Sequence, residues 1–170
     1  MKDYAKTEGL KLMQRALDTF AHGEMQHDVW SRKAHMMNMQ GLKRWHKLQS
    51  EEDRCSRIHL QHYIIDMFGV NLEPKWDYKE IESDTLEKLI NDYLNWEISV
   101  YSELANLGNS LMLLEMPCEA AMVSGPIKSV RKEIEKARRM LNDYEYVNWD
   151  KAYIKLQDKK LHDRVKCMEK

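Results

Sequence analysis

Apolar positions recur along this chain at three- and four-residue steps, the period of a helix with one buried face. Leu10, Met13, Leu17, Phe20 and Ala34 predict a first helix from about Asp3 or Thr7 to about Met37. The segment MMNMQG (36–41) is a short connection, and its Gly41 suits the left-handed conformation that ends a helix. A second helix follows to about Met67, closing at Phe68-Gly69, with Leu42, Trp45, Gln49, Ser56 and His59 on one side. Two long helices joined this tightly are antiparallel neighbours.

The pattern then lapses. Residues 69–83, GVNLEPKWDYKEIES, hold no regular period and are long for a turn in a helical bundle. A connection of this length can travel the height of a bundle, so the next helix can run parallel to the second. Asp84-Thr85-Leu86-Glu87 reads as a capping box, with Asp84 on the helix N-terminus and Glu87 reaching back. The third helix carries Leu86, Leu89 or Ile90, Tyr93, Val100 or Tyr101, Leu104 and Leu111. Pro117 suits the first turn of a fourth helix, which Gly125-Pro126 breaks or kinks. Beyond the break the stripe is Ile127, Val130, Ile134, Ala137, Leu141 and Tyr144, with no acid on it. Trp149, Tyr153, Leu156, Leu161, Val165 and Met168 mark a weaker C-terminal helix over about 149–168.

Composition agrees with an all-α fold. Glycine (6) and proline (3) are scarce, and 170 residues suit a single domain spanning 1–170, with its main bundle over about 3–146. A net charge of −1 offers no basic footprint for nucleic acid. No apolar run is long enough to span a membrane and no leader pattern opens the chain, which predicts a cytoplasmic protein. Cys55, Cys118 and Cys167 form no CxxC pair and read as reduced thiols. Most of the 12 methionines read as core filler.

The candidate chemistry lies where acids interrupt the apolar stripes, because a buried carboxylate is costly without a cation or hydrogen-bond partner. In the first helix the stripe continues from Phe20 into Glu24 and His27, an ExxH pair able to reach one cation, or else two solvated residues. Gly23 beside them weakens the helix or marks close packing. Glu52 or Asp53 falls on the second-helix stripe, and Glu97 lies on the buried side of the third among aromatic and aliphatic residues. His59 and His62 read as core-edge or solvent residues.

Two segments carry a resemblance to the ferritin family. GLKRWHKLQSEED is similar to the family's second-helix pattern G-L-x-x-[FW]-x-x-x-Q-[AS]-x-E-E, and LNWEISVYSELANL to its third helix; EIEKARRML resembles a stretch of its fourth. The resemblance implies an antiparallel four-helix bundle, with a long crossover between helices 2 and 3 and a short fifth helix. It also implies iron as the metal and a homo-oligomer as the assembly. Carried over by position, Glu97 matches the third-helix ligand and Asp53 the second-helix glutamate, while Ser56 stands where that helix's ligand histidine belongs. Glu24 matches the first-helix glutamate if the connection is three residues shorter than in typical members; otherwise the match is Ala21. In the fourth helix the family's acid falls near Ile134, with Glu133 the nearest substitute.

The implied metal set is therefore Glu24, His27, Asp53 and Glu97, an altered or incomplete di-iron site that leaves ferroxidase activity open. The alternative is a metal-free structural or interaction module whose acids are neutralised internally, with Arg54 and Arg131 as partners, and a different enzyme on the same bundle is a third reading. The Trp30 side of the first helix and the last helix are the expected association faces.

Overall fold

The computed structural model describes residues 2–168 and is helical apart from its connections. Six helical segments follow one another: α1 (Lys2–Met36), α2 (Gln40–Phe68), α3 (Leu86–Leu113), α4 (Pro117–Ser124), α5 (Ile127–Tyr146) and α6 (Lys151–Met168). Together α4 and α5 form the fourth helix of a bundle, divided at Gly125-Pro126. Contacts set the directions. Ser31 meets Lys43 while Ser50 meets Glu24, so α1 and α2 are antiparallel. Tyr93 meets Glu133 while Gly108 meets Ser124, so α3 and α5–α4 are antiparallel as well. No helix among the described residues is long and apolar enough to cross a membrane.

The core is in two parts. One apolar cluster gathers Phe20, Leu60, Val100 and Ile134; the other gathers Trp30, Trp45, Tyr93 and Ala137. Between the two clusters a polar layer crosses the bundle, with Gln26 and His27 of α1, His46, Gln49 and Ser50 of α2, Glu97 of α3 and Glu133 of α5 all buried. The candidate site lies in this layer.

Local details differ from the sequence expectations for identifiable reasons. Gly41 does not end a helix; it lies inside α2, and Asn38 takes the left-handed turn (φ 57°). Gly41 is needed for close approach instead, since a Cβ there would lie 2.0 Å from the Asp158 carbonyl oxygen of α6. Thr85, not Asp84, caps α3 by accepting from Lys88 N, while Asp84 lies 3.8 Å from Lys33. In α6 the buried positions are Ile154, Asp158 and Val165, and Leu156 and Met168 are exposed, because α6 rotates to set Asp158 against the start of α2.

The long crossover does not hang free. At four-residue steps along α1, Gln14, Asp18, His22 and Gln26 bond the backbone of Glu73, Lys75 and Ile81, and Trp30 Nε1 donates to Ser83 Oγ. Trp30 is thus fully buried beneath the crossover and offers no association face.

Candidate metal centre

His27 sits at the middle of the polar layer because α1 has just turned its stripe from Phe20 toward α2 and α3. Its Nε2 lies 3.1 Å from Glu97 Oε1 on α3 and 3.9 Å from Asp53 Oδ2 on α2. Its Nδ1 lies 3.1 Å from Nδ1 of His46, a fully buried histidine one α2 turn from Gln49. Burial, and then the neighbouring His27, pushes His46 well below the usual imidazole range, so it stays neutral. When His46 Nδ1 accepts from His27, the His27 Nε2 lone pair is aimed into the layer, the arrangement a metal-binding imidazole needs.

Glu133 of α5 completes the cluster. One ligand atom each from His27, Glu97 and Glu133 lie within 4.8 Å of one another, all three residues buried. Glu133 is held from two sides. With its amide turned so that the nitrogen faces the acids, Gln49 donates to both Glu133 oxygens at 2.6 and 2.8 Å, and a relay runs from Trp45 Nε1 to Tyr93 OH (3.0 Å) and on to Glu133 Oε2 (3.3 Å). By contrast, the buried Glu97 Oε1 completes no hydrogen bond despite its closeness to His27.

Crowding of acids shows in their proton affinity. Burial, then the charge of Glu97, raises Asp53 well above the carboxylate range; burial, then Glu97 and Asp53, does the same to Glu133. A cation in the layer would offset the repulsion between these carboxylates. Gly23 makes the approach possible: a Cβ there would lie 2.2 Å from Asp53 Oδ2.

Of the residues expected from sequence, His27, Asp53 and Glu97 are brought together; Glu24 stands near enough for its charge to act on Asp53 but is held 2.9 Å from Arg57 in an ion pair. Arg54 and Arg131 do not neutralise the layer: Arg54 is exposed, and Arg131 lies 3.4 Å from Glu135 on its own helix. The fourth-helix stripe is not free of acid, since Glu133 is buried beside Ile134. His46 escaped the sequence reading altogether, although its four-residue step from Leu42 was visible. Ser56 lines the edge of the layer, and His59 and His62 are exposed.

Solved structures with a similar fold include the open-pore ferritin of the hyperthermophilic archaeon Archaeoglobus fulgidus, at TM-score 0.82 and 12% identity over 91% of this chain and 94% of that one. This chain has the ferritin fold. A form of that ferritin engineered to be closed matches equally, and a humanized archaeal ferritin reaches TM-score 0.82 at 13% identity over 92% of this chain and 96% of its own. No protein-family profile and no curated protein matches the sequence, so the ferritin likeness is one of fold. Within it, the histidine of this ferritin-like bundle comes from α1 and is supported by a second from α2.

Proposed function

We propose that this ferritin-like chain handles iron by binding a single Fe(II) ion as cargo in its polar layer. His27 Nε2, Glu97 and Glu133 would hold it, with Asp53 beside them. The observation that carries this reading is the buried Glu97 Oε1, left without a hydrogen bond while facing an imidazole and two further acids. Imidazole nitrogen and carboxylate oxygen suit iron. A second ion finds less support, because Ser56 is a poor iron ligand and Glu24 is held by Arg57. Self-association in the cytoplasm belongs to the same reading, through exposed apolar residues such as Ile98 and Tyr101 of α3 and Leu156 of α6.

Anaerobic Fe(II) titration of metal-stripped protein tests the assignment. Saturable binding of one ion per chain, abolished by Glu97→Ala, is expected. Equal binding by the parent and the variant would overturn it.

A second reading is a metal-free scaffold, favoured by the 3.1 Å contact between His27 Nε2 and Glu97 Oε1, which can neutralise the layer internally. In that case no Fe(II) binds above background, and Glu97→Ala alters stability alone.

A further inference from the structure

The bundle is closed along most of its seams and open along one. α2 packs closely on α1 and α6, and α3 on α4 and α5, but the α2 backbone keeps its distance from both halves of the broken fourth helix, which it reaches through side chains such as Tyr63 on Glu119. A cleft of about 600 Å³ occupies that seam. Its origin lies in residue size. Ala121, Gly125 and Ser129 line it at four-residue steps from the α4–α5 side, and Cys55 and Ser56 line it from α2, so a row of small residues runs along each wall. Pro126 holds the break, lacking the N–H that would continue the helical ladder.

The cleft leads inward to the metal centre. Asp53 and Glu133 both line it, and both also face the His27–Glu97 contact or belong to its cluster. Glu51 and Glu52 stand on the α2 wall beside Asp53, where their charge would concentrate cations. On two other sides the layer is covered: the crossover lies over α1 through Gln26 and Trp30, and Tyr93 and Trp45 close the side toward the second apolar cluster.

We infer that the cleft between α2 and the Gly125-Pro126 break is the route by which a divalent cation passes between solvent and the buried centre within one chain. The inference rests on the metal reading above. Cys55 lines the cleft and is exposed, so it provides a place to plug the route without touching a ligand.

The experiment uses the full chain with Cys118→Ser and Cys167→Ser, leaving Cys55 as the single thiol, and anaerobic Co(II) as a coloured probe followed by stopped-flow absorbance. Alkylation with N-phenylmaleimide is expected to slow association and dissociation together by roughly tenfold, leaving affinity and stoichiometry unchanged. Ala121→Trp, which narrows the opposite wall and leaves the thiol free, is expected to reproduce the slowing. Paired Glu51→Gln and Glu52→Gln is expected to lower the association rate and its sensitivity to salt. Normal binding at unchanged rates in both the alkylated protein and Ala121→Trp would overturn the route while leaving the centre intact. Absence of Co(II) and Fe(II) binding in the unmodified chain would instead overturn the centre itself, and the route with it.

Discussion

Gly23 of α1 and Asp53 of α2 approach so closely that a Cβ on the glycine would lie 2.2 Å from the aspartate Oδ2. The obstacle is the tip of a side chain that is 26% exposed and already disfavoured as an anion by burial and by Glu97. Gly23→Ala should therefore push Asp53 outward, while the better helix former returns about 1 kcal/mol, so the net change in stability is expected below ~1 kcal/mol. At Gly41 the obstacle is backbone, with the Asp158 carbonyl oxygen 2.0 Å from an added Cβ. Gly41→Ala should cost ~3 kcal/mol, the upper end for overpacking, by forcing α6 off the bundle. Urea midpoints of the two variants compare them; equal losses would contradict the argument.

Glu24 and Arg57 form a pair that is 23% and 13% exposed, so its charges are only partly screened. Arg57→Leu leaves the carboxylate without its partner and is expected to cost ~1–3 kcal/mol, less than a fully buried pair would. Glu24→Gln added to that variant should recover part of the loss in a double-mutant cycle. Fe(II) stoichiometry is expected to survive Glu24→Gln and to fail in Glu97→Ala, which isolates the residue that sequence position alone would have counted as a ligand.

Lys136 Nζ lies 3.7 Å from the centre of the Trp45 ring, and burial, then Arg164 and Arg139, push its pKa down to about 8 from 10.5. Between those values the unfolded chain binds more protons than the folded one, so this group makes stability rise with pH across that window. Below pH 8 the cost of holding the ammonium in place is fully present. Lys136→Met keeps the packing against Trp45 and should be more stable than the parent at pH 7. The difference should shrink as pH climbs from about 8 to 10.5, read from unfolding curves of the two proteins. A constant difference would remove the titration from the explanation.

Asp158 of α6 caps a helix distant in sequence, accepting from Gly41 N at 3.0 Å and Leu42 N at 2.9 Å. Met39 at the N-cap of α2 has no side-chain acceptor for this purpose. Asp158→Ala is expected to cost about 1–2 kcal/mol, the worth of a good cap. It should also expose α6 to limited proteolysis before the rest of the chain, whereas Asp163→Ala, on an exposed side chain of the same helix, should do neither.

Much of the helix plan was legible because local rules specify it. Pro117, the Gly125-Pro126 break and the lapse of period at 69–83 mark boundaries through backbone chemistry that acts over a few residues. The centre was legible only in part. Glu97 and Asp53 were visible as acids on apolar stripes, and the ferritin resemblance pointed to both. Glu24 was visible in the same way, yet Arg57 claims it across the α1–α2 interface. Glu133 stood only as the nearest substitute because its neighbour Ile134 fits the stripe; both are buried, since the stripe is wide enough there to admit two adjacent positions.

By itself, then, the sequence determined that long amphipathic helices form, where they stop, and that their apolar faces are interrupted by acids near the middle. Those outcomes follow from periodicity and turn chemistry, which act within one helical repeat. Tertiary structure decided the rest: that the interruptions meet in one layer, that His46 backs His27 while Arg57 withdraws Glu24, and that one seam stays open. Each depends on which side chains face one another across helices 19 to 40 or more residues apart. Distances of a few ångströms between such groups set their electrostatics, and no local pattern encodes them.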